Sequence, residues 1–470
     1  MSEAMPTRTG AVMAAIRRQV AARALGPGDR LPSIRRLAGQ MGVSPSTVVE
    51  AYDRLAAEGL IRARRGAGFY VTGGSSLPPL ALAATEPVRA RAVDPFWVSR
   101  QSLDADAATL KPGCGWLPDD WLPGEALRRA ARGLARAEAA VLVGYGGTRG
   151  APTLRRLLLR RFAEEGLDLA PEQLLLTASG TQAIDLVCRF LLRPGDTVLL
   201  DDPCYFNFQA LLRAHQARIV GVPVTPTGPD PAEFARLAAA ARPRLYLTNS
   251  ALHNPTGATI TPQGAHRILR VAAAQEIVVV EDDIFADLAT EPAPSLAVLD
   301  GLERVIRLGS FSKTLSASIR CGYVAARPDW IEGLIDLQVA TSFGGPSPAA
   351  TELLAGVLAG GGYRKHLEEL RRRLAQARRD VAARLAPLGI TPWLMPQGGL
   401  FLWCRLPEEL DSAELARTAL ARQVVLAPGN VFSVAQSASA FLRFNVAQSR
   451  DPHLIEVLRA AMAEAGVARP

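Results

Sequence analysis

From about Asp94 onward, short apolar runs alternate with stretches of helical period, and that alternation restricts the fold more than any other feature of the sequence. The strand-like runs are 174–177, 198–201, 245–248, 277–282, 305–310 and 322–325. Strands separated by helix-length segments predict an α/β domain with a largely parallel central sheet. In such sheets ligands gather outside the carboxyl ends of the strands, and the polar clusters of this chain fall there. Ser179-Gly180-Thr181 follows the first run and opens a helix. Asp202-Pro203-Cys204-Tyr205 follows the second, and His253-Asn254-Pro255-Thr256-Gly257 comes after the third. Glu281-Asp282-Asp283 ends the fourth. Ser310-Phe311-Ser312-Lys313-Thr314 ends the fifth, with Arg320 seven residues beyond the lysine.

Lys313 stands out by residue usage. Of 53 basic residues only Lys111, Lys313 and Lys365 are lysine. A chain that uses arginine nearly everywhere, yet keeps a lysine among hydroxyls, points to a need for an amine that can lose its proton, which arginine cannot do. Schiff-base chemistry with pyridoxal 5'-phosphate is the commonest such need; a solvated loop lysine is the plain alternative. Small residues and free amides at Ser179-Gly180-Thr181 suit a phosphate at a helix N-terminus.

The 470 residues predict two or three domains, with enough apolar residues, 49%, for sizeable cores. No apolar run reaches the roughly 18–20 residues that span a bilayer, and residues 1–10 lack a signal-peptide core. The five cysteines, Cys114, Cys188, Cys204, Cys321 and Cys404, contain no Cys-x-x-Cys pair. That spacing predicts reduced thiols in a cytoplasmic protein and no zinc site. The five histidines show no metal-ligand spacing either.

Charge is unevenly placed. Residues 1–75 hold eleven arginines against five acids, a net of +6 out of +8 for the chain. A small basic module on a nearly neutral body predicts a nucleic-acid-binding head. Val12, Ile16 and Val20 form one stripe of a helix over 11–24. Ser33 caps a second helix with Ile34, Leu37, Ala38 and Met41 inward. Ser44 and Pro45 open a third that runs to about Gly59, with Val48, Tyr52 and Leu55 buried. Two short strands within 60–71 flank a basic Arg-Arg-Gly tip.

These residues resemble the winged helix-turn-helix of the GntR family of bacterial regulators. The match runs through Pro27-Gly28-Asp29-Arg30-Leu31-Pro32-Ser33, Arg35-x-Leu37-Ala38, Gly42-Val43-Ser44, Thr47-Val48, Ala51-Tyr52-x-x-Leu55, Glu58-Gly59 and the Arg-x-Gly-x-Gly wing. The resemblance implies that Arg35, Ser44, Ser46 and Thr47 face duplex DNA, with Arg65 and Gly66 in the wing. Pro45 departs from the pattern, standing where many members carry arginine, so base contact there is an open point.

Over about 95–465 the ordered clusters resemble fold-type I aminotransferases, which implies a pyridoxal 5'-phosphate site. Lys313 would carry the cofactor as a Schiff base, and Asp282 would pair with its pyridinium nitrogen. Ser310, Arg320 and Ser179-Gly180-Thr181 would hold the phosphate. Tyr205 would stack on the ring and Asn254 would donate to its phenolic oxygen. Arg443, in Leu442-Arg443-Phe444-Asn445, would clamp a substrate carboxylate. Tyr145 would reach a phosphate across a dimer interface, and residues 115–119 would line the substrate mouth. A tyrosine usually stands two or three residues beyond the aspartate. Here those places hold Ile284 and Phe285, which implies weak turnover unless Tyr205 or Tyr323 supplies the hydroxyl.

A GntR-type head on an aminotransferase-like body resembles the MocR subfamily of GntR regulators. The expected organisation is a DNA-binding domain over 1–73, a linker over 74–95 and a cofactor-binding effector domain over 96–470 with a smaller C-terminal subdomain. The resemblance implies a homodimer, often head-to-tail in the family, that uses pyridoxal 5'-phosphate and an amine or amino acid as its signal. The sequence does not name the effector: GABA, taurine, other amines and pyridoxal phosphate itself are all open. The alternative is a working aminotransferase with an accessory head.

Overall fold

The computed structural model describes residues 7–22, 24–26, 28–64, 67–72, 95–106, 108–407 and 410–467. The expected linker lies outside them apart from Pro95, and so do the wing-tip residues Arg65 and Gly66. The chain divides into two compact units, Met1–Ala90 and Arg91–Pro470.

The head contains three helices, Arg8–Ala21, Ile34–Met41 and Pro45–Ala57, and a hairpin of β1 (Ile61–Arg64) and β2 (Gly68–Val71). Local chemistry sets the helix starts. Ser33 Oγ accepts from Arg36 N at 3.3 Å, and Ser44 Oγ from Thr47 N at 3.2 Å, with Pro45 in the first turn. Gly42, at φ 62°, makes the left-handed turn between the second and third helices. Val12, Ile16, Leu37, Ala38, Val48, Tyr52 and Leu55 are buried in one cluster, and Tyr52 OH donates to Pro32 O at 2.8 Å. The first helix starts at Arg8, earlier than its apolar stripe suggests, because Thr7 caps it.

The body is built on an eight-stranded sheet: β3 (Leu174–Thr177), β4 (Thr197–Asp202), β5 (Arg218–Thr225), β6 (Gly228–Pro229), β7 (Leu245–Thr248), β8 (Val278–Asp282), β9 (Val305–Ser310) and β10 (Gly322–Ala325). The spatial order is β3-β10-β9-β8-β7-β4-β5-β6. Neighbours from β9 through β5 are parallel, and β10 runs antiparallel to both β9 and β3. Helices bury both faces: Leu176, Leu199, Val279 and Val305 belong to one core cluster, and Leu175, Leu200, Val280 and Ile306 to the other. Such double burial explains the nearly continuous apolar runs.

The sequence places six strands and misses β5 and β6. β5 is half-exposed and carries Gly221 and Pro223, residues that read as loop and are tolerated toward a sheet edge. The reversal of β10 brings its N-terminal end, with Arg320 and Gly322, to the carboxyl ends of the parallel strands. A smaller antiparallel sheet follows, β11 (Thr391–Pro392), β12 (Phe401–Arg405), β13 (Ala427–Pro428) and β14 (Phe441–Asn445), in the order β11-β12-β14-β13. The long helix Gly362–Leu385 packs Leu370, Leu374, Val381 and Leu385 into the core beneath it. All five cysteines are buried free thiols. Among the described residues no helix is long and apolar enough to cross a membrane, and no side-chain group could hold a metal ion.

Candidate functional site

In the head, Arg35, Ser44 and Ser46 are exposed and Thr47 is half-buried. The Ser44 hydroxyl lies 2.8 Å from both Ser46 Oγ and Thr47 Oγ1, so three hydroxyls cluster at the start of the helix Pro45–Ala57. Helix N-termini favour anions such as phosphate. Arg17 and Arg54 are tied up by Glu58 and Glu50 at 2.6 and 2.5 Å. Arg62 and Arg64, on β1, are exposed, and Arg64 lies over the Tyr70 ring at 4.6 Å. Sequence reasoning passed over these two because it took the wing tip as the contact.

In the body, a cavity of about 610 Å³ opens at the carboxyl ends of the sheet. Ser179, Gly180, Thr181, Tyr205, Asn254, Asp282, Ser310, Lys313, Arg320 and Arg443 all line it. Adjacent strands β9, β8 and β7 end side by side there. Asp282 is paired with Leu308, so Ser310 extends two residues beyond it.

At one end Ser179 caps the helix Gly180–Leu191, its Oγ accepting from Gln182 N at 3.0 Å. The first amides of a helix have no partner within it, which leaves those of Gly180 and Thr181 for a phosphate. Gly322 permits this arrangement: a Cβ there would come within 2.7 Å of the Ser179 carbonyl carbon. Ser310 Oγ donates to Cys321 O at 3.2 Å. Arg320 is exposed and takes a left-handed φ of 52°, a conformation that costs a non-glycine residue roughly 1–2 kcal/mol.

Lys313 Nζ donates to Gly115 O at 2.7 Å. Burial, helped by the nearby Arg443 guanidinium, pushes its amine down to about 8. Behind it Thr314 Oγ1 lies 2.8 Å from Tyr363 OH, which donates to Asp287 Oδ2 at 2.8 Å, and His366 Nε2 is 2.8 Å from Thr314 O. This network pins the lysine's loop to the long helix. Burial pushes Asp282 up to about 6. It accepts from Ile284 N at 3.2 Å, and no side-chain cation among the described residues forms an ion pair with it. A cationic N–H donor, such as a pyridinium, would fill that need. Asn249, which sequence reasoning missed, follows β7 directly. Its Nδ2 donates to Asp282 O at 2.9 Å while its buried Oδ1 has no partner.

Glu281 and Asp283, on either side of Asp282, are buried and turned elsewhere. Glu281 caps the helix Leu296–Asp300 through Leu296 N and Ala297 N, and Asp283 pairs with Arg307. The run is thus not a solvated acidic loop: all three acids are buried.

Arg443 sits on β14 opposite Trp403 and is 1% exposed. Its Nη1 donates to Asn254 Oδ1 at 2.8 Å and its Nη2 to Gly113 O at 2.6 Å. Its Cζ lies 4.2 Å from the Phe401 ring centroid and 4.8 Å from that of Phe432. Two rings and two hydrogen bonds fix the plane of the guanidinium, and its Nε has no partner. Burial pushes it down to about 10, and it remains cationic at neutral pH. Because Arg443 occupies Asn254 Oδ1, the Asn254 amide nitrogen is the end left to donate.

Tyr205 packs against Phe206 and Phe208. Tyr145, expected to reach a phosphate, does not line the cavity. It is 77% exposed and meets Phe343 edge-on at 5.0 Å. Phe285 is buried against Phe401 and lines the cavity. Tyr323 does not line it. It packs edge-on to Phe162, over Gly309, so the suggestion that Tyr323 supplies the missing hydroxyl is corrected.

The pattern of the class I and II aminotransferases matches residues 118–460, and that of the bacterial regulatory proteins of the gntR family matches residues 8–71. The chain is 32% identical to the HTH-type transcriptional regulator YdcR of Escherichia coli K12, over 92% of this chain and 93% of that one. It is 29% identical to the probable rhizopine catabolism regulatory protein MocR of Rhizobium meliloti, over 88% and 84%. A 2-aminoadipate transaminase of Thermus thermophilus is 32% identical over 72% of this chain and 87% of its own length. Among solved structures, the α-aminoadipate aminotransferase LysN of Thermus thermophilus, complexed with N-(5'-phosphopyridoxyl)-L-leucine, superposes with a TM-score of 0.70 at 28% identity, covering 78% of this chain and 95% of LysN.

Proposed function

The chain belongs to the class I and II aminotransferase family and carries a gntR-family regulatory head, the architecture of the MocR-type transcriptional regulators, and on that premise we propose that its body binds pyridoxal 5'-phosphate and senses an amine or amino acid. The observation that carries this reading is Lys313. A lysine amine pushed down to about 8 stands in one cavity with the buried Asp282 and the fixed guanidinium of Arg443. Bound there, the cofactor would supply a carbonyl for primary amines and a pyridine ring that withdraws electrons.

The chain's own residues then have distinct tasks. Lys313, lowered to about 8, presents a far larger neutral amine fraction at physiological pH than an ordinary lysine. Asp282, ionised by the approach of a pyridinium, holds that proton in place. Ser179, Gly180, Thr181, Ser310 and Arg320 bind the phosphate, while Tyr205 packs on the ring. Arg443, its guanidinium held between the rings of Phe401 and Phe432, takes the effector's carboxylate. On the head, Arg35, Ser44, Ser46, Thr47, Arg65 and Gly66 contact DNA. The protein acts in the cytoplasm as a homodimer, with Tyr145 reaching the partner's phosphate site. An effector alters DNA affinity only as far as it binds two arrangements of the protein unequally.

A working aminotransferase is the second reading, favoured by the meeting of Lys313, Asp282, Arg320 and Arg443 in one cavity and by the transaminase among the relatives. The test is borohydride reduction of the cofactor-loaded protein followed by peptide mapping, together with keto-acid assays. The label is expected on Lys313 with little keto acid formed. A label on Lys111 or Lys365 would overturn the assignment, and turnover in the ordinary enzyme range of about 1–10³ per second would promote the second reading.

A further inference from the structure

We infer that Tyr363, on the long helix Gly362–Leu385, is a positioning residue that fixes the Lys313 amine relative to Asp282, because its hydroxyl bridges Thr314, the residue after Lys313, to Asp287, five residues after Asp282. The inference rests on the reading that Lys313 and Asp282 face one cofactor, a reading that gives Tyr363 no part.

The lysine's loop depends on outside support. Residues 311–321, between β9 and β10, belong to no helix or strand. Inside the loop, Leu315 N and Ser316 N donate to Phe311 O at 2.9 and 3.1 Å. Thr314 is instead held from the long helix. A carbonyl only accepts, so His366 Nε2, 2.8 Å from Thr314 O, carries the proton and donates it. Tyr363, one turn earlier, meets the Thr314 hydroxyl at 2.8 Å. Thr314 is 1% exposed and Tyr363 9%, so water does not compete freely for these bonds.

The phenol has one proton, and Tyr363 donates it to Asp287 Oδ2 at 2.8 Å. Thr314 Oγ1 is therefore the donor to the Tyr363 oxygen. Burial, and then the neighbouring Asp287, push the phenol well above its ordinary range, so it stays protonated. The far end of the bridge is anchored in ions. Asp287 Oδ1 pairs with Arg161, whose Nε donates to Glu165 Oε1 at 3.1 Å. Glu165 Oε2 accepts from Arg307 Nη2 at 2.6 Å, and Arg307 pairs with Asp283. Arg371, also on the long helix, donates to Asp287 O at 2.9 Å. Asp283 and Asp287, one and five residues beyond Asp282, are thus held by one charge-assisted network, and Tyr363 is its link to the lysine's loop. Such bonds are roughly twice as strong as neutral ones, and members of a buried network reinforce one another.

The test is competitive acylation of the full-length protein without cofactor, across pH, read at Lys313 against the exposed Lys365. It compares wild type, Tyr363→Phe, Thr314→Val and the double variant. The titratable groups facing Lys313 are Arg443, Cys114, Asp282 and Arg320, and all four stay in place. Both single variants remove the bond between Thr314 and Tyr363 while keeping the ring or the branched side chain. The freed loop is expected to expose the amine, so that the Lys313 midpoint rises by about half a pH unit or more, a roughly threefold loss of reactivity at pH 7. The double variant is expected to match Tyr363→Phe alone, since both changes act on one bond. Glu368→Gln, at an exposed position of the same helix, should leave the midpoint in place. Urea midpoints are followed alongside, because a merely structural tyrosine would lower stability and leave the Lys313 midpoint unmoved. That outcome, or shifts that add in the double variant, would overturn the proposal. If Tyr363→Phe does not fold, Thr314→Val tests the same bond from its other side. A borohydride label on Lys111 or Lys365 in the cofactor-loaded protein would overturn the cofactor reading and leave a shifted Lys313 midpoint standing.

Discussion

Lys313 is expected to react as a neutral amine at a pH where ordinary lysines are almost wholly protonated. An amine lowered from 10.5 to about 8 is roughly one-tenth neutral at pH 7, about 300 times the neutral fraction of the unshifted group. Two causes are separable: burial comes first, and the cation of Arg443 second. Arg443→Gln removes the cation and keeps a donor for Asn254 Oδ1 or Gly113 O. The Lys313 midpoint should then move up, with reactivity at pH 7 falling tenfold for each pH unit moved. Competitive acylation across pH, read by mass spectrometry of peptides, measures this directly. The chain has three lysines, so each is resolved, and the exposed Lys365 serves as the reference. The sign of the stability effect follows. Between about pH 8 and 10.5 the unfolded chain binds a proton at Lys313 that the folded apoprotein does not, so Lys313 makes stability rise with pH across that window. A labelling midpoint for Lys313 at 9.5 or above, or one unmoved in Arg443→Gln, would refute the reasoning.

Three further outcomes are expected. Arg35→Ala should flatten the salt dependence of DNA binding by about one phosphate contact, roughly 0.9 log units in affinity per log unit of salt, and an unchanged slope would remove Arg35 from the interface. Phe285→Tyr should raise keto-acid formation from candidate amines: a hydrogen bond to a charged oxygen is worth roughly 1.5–3 kcal/mol, and an unaltered rate would mean that the missing hydroxyl does not limit turnover. Gly113→Ala should lower the urea midpoint of the protein, since its Cβ would stand 2.4 Å from the Leu426 carbonyl carbon, an overlap that costs roughly 1–3 kcal/mol. An unmoved midpoint would show that the β13 side yields freely.

Features fixed within a few residues were legible in the sequence. Ser33, Ser44 and Pro45 announce helix starts because a cap bonds an amide three residues on. Apolar runs locate β3, β7, β9 and β10 to the residue, since both faces of those strands are buried. The clusters after them could be read as a site because strand ends share one edge of a parallel sheet. Properties that depend on distant partners were not legible. Nothing local tells that Asp283 faces Arg307 while Asp282 faces the cavity, nor that Tyr323 turns toward Phe162. Asn249 was missed because its partner, the Asp282 carbonyl, is 33 residues away. The helix Pro95–Asp104 was missed because its apolar residues pack against the distant Phe206 region.

The most direct measurement of the central claim is operator affinity with and without amines. A duplex selected from a random library by the full-length, cofactor-loaded protein would be titrated by fluorescence anisotropy, for wild type and Lys313→Ala, with a panel of amino acids and amines. At least one amine is expected to change wild-type affinity by about 5- to 150-fold, the usual range of coupling between two sites, and to leave Lys313→Ala unchanged. An equal change in both proteins, or none in wild type across the panel, would contradict the claim that the cavity at Lys313 controls the head.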